Sequence, residues 1–114
     1  MSSDQNKRDF SSVMDKLRAN YIAGLSTKAQ ELAKALSGVR TNEDGASARV
    51  AEQVHRLAGT AGSFGIHDVS AMANKFDVRF HNGESPVDLV EELTALVQLL
   101  HARSQDLPAD KAGQ

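Results

Sequence analysis

Hydrophobic residues recur at three- and four-residue steps along almost the whole chain, and the alternating pattern typical of β-strands is nearly absent. The chain contains only two prolines, Pro86 and Pro108, and both fall at expected helix boundaries. Only 4% of the 114 residues are aromatic, so the core is mainly aliphatic, which suits close-packed helices. The pattern therefore predicts an all-α fold of one domain, an up-and-down four-helix bundle with an additional short N-terminal helix.

Five amphipathic stretches are predicted as helices, each with a start or stop signal. They run from about Arg8 to Gly24, from Ser26 to Leu36 before a stop at Gly38, from a cap at Thr41 or Asn42 to Phe64, from a cap at Asp68 to the stop at His81-Asn82-Gly83, and from a cap at Ser85 to about Ser104. The first two could also form one bent helix. Residues 1–7 are predicted as a disordered N-terminus, 8–104 as the bundle and 105–114 as a flexible tail.

The same spacing predicts which face of each helix is buried. The expected core positions are Phe10, Val13, Met14, Leu17 and Tyr21 in the first helix, Val50, Val54, Leu57, Ala61 and Phe64 in the third, and Leu89, Val90, Leu93, Leu96, Val97 and Leu100 in the fifth.

Composition excludes several classes of function. The net charge of −2 argues against a nucleic-acid binder, which normally carries a large basic excess. There is no cysteine, which rules out disulfides and thiolate zinc sites, and no two histidines have close metal-ligand spacing, so no metal site is expected. No apolar run is long enough to span a membrane, and the polar start does not resemble a signal peptide. These features favour a cytoplasmic monomer.

His55 stands on an unusually bare face of the third helix. It lies off the apolar stripe, and its neighbours three, four and seven residues away on that face are nearly all Ala or Gly: Ala48, Ala51, Glu52, Ala58, Gly59 and Gly62. A glycine inside a helix costs about 1 kcal/mol relative to alanine. Small residues beside a histidine would let the surface of another protein approach the ring closely.

An exposed imidazole can act as a nucleophile, because at neutral pH one ring nitrogen has a free lone pair. A phosphoryl group on that nitrogen would be favoured by nearby cations. Arg56 and, from a neighbouring helix, Lys75 are the candidates for this role.

The segment from His55 to Gly65, HRLAGTAGSFG, resembles the signature of the histidine-containing phosphotransfer domains of two-component phosphorelays. That signature has a His, an apolar residue two positions on, a Gly four on, a small residue six on and a Gly ten on. Here the later positions are Leu57, Gly59, Ala61 and Gly65. The flanking helices are similar in number and length, so the likeness covers about residues 8–104.

The resemblance implies a four-helix core in which His55 is the phosphoacceptor. Phosphoryl groups would come from, and pass to, aspartates on receiver domains of response regulators or of a hybrid sensor histidine kinase. The receiver would supply the Mg²⁺ ion, whereas this chain would bind no cofactor and have no catalytic activity of its own. Its docking face would include Ala51, Glu52, Gly59 and Gly62.

The sequence departs from the family pattern at one position beside the histidine. Many family members have Lys three residues after the His, and this chain has Ala58 there. Arg56, Gly59, Thr60 and Lys75 are the other positions expected near the phosphoryl group.

Two other functions are compatible with the same fold. One is an adaptor that docks on a receiver or sensor kinase without being phosphorylated. The presence of Ala58 where many family members have Lys favours this alternative. The other, less favoured because no partner residue lies within motif distance, is an enzyme that uses His55 as a general base. A histidine kinase is excluded, since the chain has no glycine-rich nucleotide-binding segment. The remaining histidines, His67, His81 and His101, are interpreted as ordinary.

Overall fold

The segments in which apolar residues recur at helical spacing are helices in the structure. The computed structural model describes residues 2–106, with side chains from Phe10 onward. These residues form five α-helices and one 3₁₀ turn and contain no strand: α1 Ser2–Ala23, α2 Leu25–Arg40, α3 Ala46–Ser63, α4 His67–His81, the turn Pro86–Leu89, and α5 Val90–Ser104. Helices α2 to α5 pack in cyclic order as a four-helix bundle, which confirms the predicted all-α fold. Within residues 2–106, no helix has the length and apolar character needed to cross a membrane.

Helix α1 differs from the prediction in its length and in its surroundings. It has 22 residues and begins at Ser2, so it is neither short nor confined to residues after Arg8. Most of its apolar stripe is exposed rather than buried: Phe10 68%, Val13 53%, Met14 39% and Leu17 45%. The stripe is exposed because only the last turns of α1 reach the bundle, where Ile22 is buried and Tyr21 packs against the core. The predicted monomeric state and the limits 1–7, 8–104 and 105–114 stay predictions, and residues 107–114 lie outside the described part.

The first two helices are separated by a single residue. The Gly24 N–H donates to the carbonyls of Asn20 and Tyr21, and the Gly24 carbonyl accepts from the Lys28 N–H, all at 3.1 Å. Helical hydrogen bonding therefore continues through Gly24, and α2 begins at Leu25, one residue before the predicted start at Ser26. Helices α1 and α2 are therefore nearly continuous, with a local break at Gly24.

Gly38 does not stop the second helix, which continues to Arg40. A Cβ on Gly38 would lie 3.1 Å from the Ala46 Cβ and 3.3 Å from the Glu43 Oε1, so this buried glycine allows the start of α3 to approach α2 closely. The predicted cap of α3 at Thr41 or Asn42 is also wrong. Thr41 donates to carbonyls at the end of α2, and α3 starts after Gly45, which has a φ of +79°.

Gly38→Val is expected to lower the free energy of unfolding by about 1–3 kcal/mol, because two methyl groups would be forced into a filled contact. Chemical denaturation followed by circular dichroism measures this change. Gly24→Ala is the matched control, since a Cβ there meets only backbone oxygens, at 3.5 and 3.7 Å, and alanine favours the helix. A Gly38→Val protein as stable as wild type would contradict the tight contact between α2 and α3.

Helices α3 and α4 form an antiparallel hairpin that positions the bare histidine face. Gly65, with a φ of +78°, ends α3 as predicted, and the Ile66 N–H closes the turn on the Ala61 carbonyl at 2.8 Å. Asp68 does not cap α4, because that helix already begins at His67, with Ile66 as the capping residue. The Asp68 carboxylate instead accepts from the Arg103 Nε at 2.8 Å, which ties α4 to the end of α5.

The last helix follows its prediction closely. Ser85 Oγ accepts from the Val87 N–H at 3.3 Å and Pro86 occupies the first position, although the first four residues form a 3₁₀ turn rather than α-helix. All six predicted core positions in this segment are buried: Leu89, Val90, Leu93, Leu96, Val97 and Leu100.

Candidate functional site

The buried stripe of α3 sets the direction in which His55 points. Val50, Val54, Leu57 and Ala61 are all buried, as predicted, and Phe64 packs partly buried against the core. His55 lies next to this stripe on the solvent side, and 69% of its side chain is exposed. The imidazole is therefore accessible to a second protein while its helix is fixed by packing.

His55 lies at the edge of an open groove between α3 and α4. Helix α3 contributes Ala51, Glu52 and His55, and helix α4 contributes Asp77, Phe80 and His81. Ala51 and Glu52 were predicted to lie beside the histidine and do so. Asp77 and His81 were not among the predicted site residues.

Asp77 holds the imidazole in one orientation. Its Oδ2 lies 3.1 Å from the His55 Nδ1, and only 15% of the Asp77 side chain is exposed. A carboxylate can only accept a hydrogen bond, so the Nδ1 must carry the proton and donate. In the neutral ring this leaves the lone pair on Nε2, the nitrogen on the far side of the ring. The contact selects both the nucleophilic atom and its direction.

His81 is the second imidazole of the groove. Its Nδ1 donates to the Asp77 backbone carbonyl at 2.9 Å and lies 3.7 Å from the Asp77 Oδ1. The ring centroids of His55 and His81 are 6.3 Å apart. His81 is at the end of α4, as predicted, and its ring also lines the groove beside His55. Among the described residues, no group of three or more His, Cys, Asp or Glu side chains is arranged to hold a metal ion.

Two of the predicted phosphate-proximal residues are engaged elsewhere. The Arg56 guanidinium pairs with Glu52 at 2.9 Å and lines a pocket between α2 and α3 together with Lys28 and Thr60. The Thr60 hydroxyl donates to the Arg56 carbonyl at 2.8 Å and lies 2.7 Å from the Tyr21 hydroxyl, which therefore donates to it. Burial raises the pKa of the Tyr21 phenol.

Lys75 lies on a different face of α4 from the site. It precedes Asp77 by two residues, which is about 200° around a helix, and its side chain is exposed. Within residues 2–106, no hydrogen bond or ion pair joins the His55 ring to Arg56, Thr60 or Lys75. The structure therefore does not bond these three side chains to the imidazole, and their place near a phosphoryl group stays a prediction.

The small residues on the bare face have two different roles. A Cβ on Gly59 would meet nothing within 4 Å, so that position is open to solvent beside His55. A Cβ on Gly62 would lie 3.0 Å from the Ser70 Oγ, so Gly62 takes part in the contact between α3 and α4, while its place on a docking face stays a prediction. Ala58 is half-buried against the core, and its carbonyl accepts from the Ser70 hydroxyl at 2.8 Å.

Comparison with protein-family models gives a match to the Hpt domain over residues 16–105. The match covers the four bundle helices and the end of α1, and it contains His55, Asp77 and His81. Comparison with curated proteins and with solved structures gives no significant match.

Proposed function

Because the chain belongs to the Hpt domain family, whose members carry out histidine phosphotransfer in two-component systems, we propose that His55 is its phosphoacceptor. His55 would take a phosphoryl group from a receiver-domain aspartate and pass it to another receiver domain. The observation that supports this most directly is the contact between the His55 Nδ1 and Asp77, which leaves Nε2 free on an exposed ring.

The transfer step needs no base from this chain. The Nε2 lone pair forms a bond to phosphorus while the bond from phosphorus to the aspartyl oxygen breaks, and the receiver carboxylate leaves with that electron pair. The Nδ1 keeps its proton throughout. A Mg²⁺ ion bound by the receiver would offset the charge of the phosphoryl oxygens during the step.

Asp77 favours the product of this step as well as the reactive tautomer. Once Nε2 carries the phosphoryl group and Nδ1 keeps its proton, the imidazole ring has a positive charge. The Asp77 carboxylate lies 3.1 Å from Nδ1 and is mostly buried, so it is placed to balance that charge. The reverse transfer then returns the ring to the same neutral tautomer.

The open position at Gly59 supports docking of a receiver over His55. Gly59→Lys is expected to stabilise the helix by about 0.5–1 kcal/mol, because glycine disfavours a helix interior. It is also expected to slow phosphoryl transfer by about tenfold or more, because a long side chain would occupy the approach to the ring. Transfer rates and denaturation midpoints measure the two effects separately.

Gly59→Ala is the matched control for this prediction. It gives most of the helix stabilisation with only one methyl group, so it should transfer at close to the wild-type rate. Equal transfer by the Gly59→Lys and Gly59→Ala proteins would mean that the receiver does not approach across this position.

The proposed function is tested by incubating the chain with a phosphorylated receiver domain and Mg²⁺. Receivers from the same cell are screened one at a time, and label on this chain is followed on gels. The expected label is stable in alkali and labile in acid, as expected of a phosphorus–nitrogen bond and not of a phosphoserine. A chain that takes no label from any receiver of that set would contradict the proposal.

The unphosphorylated adaptor is the second candidate, and Ala58 is the observation that favours it. Ala58 is half-buried beside α4 and supplies no cation to the groove. An adaptor would bind a receiver with the same affinity whether or not His55 was present, and it would never take the label.

A further inference from the structure

The groove lacks the cations that the sequence led us to expect. Position 58 is alanine, Arg56 is paired with Glu52, and Lys75 lies on another face of α4. A phosphoryl group on His55 would nevertheless carry close to two negative charges. The remaining side chain of the groove that can carry a positive charge is His81.

Asp77 orients both imidazole rings of the groove. Its carboxylate accepts from the His55 Nδ1 at 3.1 Å, and its backbone carbonyl accepts from the His81 Nδ1 at 2.9 Å. Each ring therefore turns its Nδ1 toward Asp77 and its Nε2 away from it. Both side chains are mostly exposed, His55 at 69% and His81 at 71%, so both rings are accessible from solvent.

We propose that His81, in its protonated form, donates a hydrogen bond from Nε2 to a phosphoryl oxygen on His55 and so prolongs the life of the phosphorylated state. The inference rests on the proposed function, since it concerns the same phosphoryl group. The ring centroids lie 6.3 Å apart, a separation that a phosphoryl group on one ring and a hydrogen bond from the other can bridge. His81 thereby takes the place of the lysine that is missing at position 58.

A histidine in this role makes the lifetime depend on pH. An imidazole gains its proton between about pH 5 and 8, whereas a lysine stays charged throughout that range. The other charged groups that face His81 are Asp77 on its own helix and Glu52 and His55 on α3. Glu52 is already paired with Arg56. The contribution of His81 should therefore be present at low pH and lost as pH rises.

The test compares lifetimes after the phosphorylated chain has been separated from its donor. Wild type, His81→Gln and His81→Lys are labelled by a phosphorylated receiver, and loss of label is followed at intervals from pH 6.0 to pH 8.5. His101→Gln, an exposed histidine on α5, is the matched control. Circular dichroism verifies that each variant is folded. Ratios to wild type at each pH cancel the acid lability that all phosphohistidines share.

The wild-type label should outlast the His81→Gln label about threefold to fivefold at pH 6.0 and by less than about 1.5-fold at pH 8.5, the size expected for an exposed charged contact. The His81→Lys label should last as long as wild type at pH 6.0 and longer at pH 8.5. Equal lifetimes for wild type and His81→Gln at every pH would overturn the inference while leaving His55 as the phosphoacceptor. A wild-type chain that takes no label would overturn the proposed function itself.

Discussion

His55→Gln is expected to abolish phosphoryl transfer to this chain. The glutamine side chain has a similar reach, but its amide nitrogen has no free lone pair and cannot attack phosphorus. The substitution should cost less than about 0.5 kcal/mol of stability, because the replaced ring is 69% exposed. Label transferred from a phosphorylated receiver with Mg²⁺ should fall to the background of the assay while the denaturation midpoint stays in place.

The control for this result is the same substitution at another exposed histidine. His101 lies in the last turn of α5, on a different helix from either side of the groove, so His101→Gln should take the full label. Label that survives in the His55→Gln protein would place the acceptor on another residue. Receiver binding that also disappears in that variant would indicate that the ring is needed for docking as well as for chemistry.

Asp77→Ala is expected to lower the transfer rate by about tenfold to 100-fold, a range seen when a group that orients a functional histidine is removed. Without the carboxylate the proton can sit on either ring nitrogen, the ring can turn, and the positive charge of the product is not balanced. The loss should appear in the rate at saturating receiver rather than in the receiver concentration needed for half the maximal rate. Asp77 is only 15% exposed and offers little surface to a partner.

Asp77→Asn separates orientation from charge. Its amide oxygen can still accept from the His55 Nδ1, so the reactive tautomer is kept while the negative charge is lost. An intermediate rate for Asp77→Asn would assign part of the effect to each cause. An Asp77→Ala protein that transfers at the wild-type rate would contradict any positioning role for Asp77.

The helical fold could be predicted because spacing reports directly which residues of a helix share a face. The buried stripe of α3 and the whole of α5 follow from it. The exposed stripe of α1 could not, because an amphipathic pattern shows that a face is apolar but not whether a neighbouring helix covers it. The prediction that Gly38 ends the second helix was wrong for a related reason. A glycine that allows close packing and a glycine that ends a helix cannot be told apart in the sequence.

A local motif singles out His55 in the sequence, whereas the side chains that His55 contacts depend on the register of the hairpin. Gly62 and Ser70 face each other, and they lie four residues before and four residues after Ile66. His55 and Asp77 also face each other, and they lie eleven residues before and eleven residues after Ile66. An error of one residue in the position of the turn moves the partner by about 100° around α4. The sequence does show that Asp77 follows Phe76, which is buried, and this neighbour indicates that the carboxylate lies near the bundle. Without the register of the hairpin, however, Asp77 could not be identified as the partner of His55.

The hairpin also brings the whole candidate site close together along the chain. His55, Asp77 and His81 all lie on two consecutive helices joined by a short turn at Gly65, so little chain entropy is lost in bringing them together. Contacts between neighbouring segments generally form early in folding. No residue of α1 lines the groove, so local opening of the exposed part of α1 around Phe10 and Val13 would leave the distance between His55 and Asp77 intact. Amide hydrogen exchange should accordingly be faster around Phe10 and Val13 of α1 than in the middle of α3 and α4.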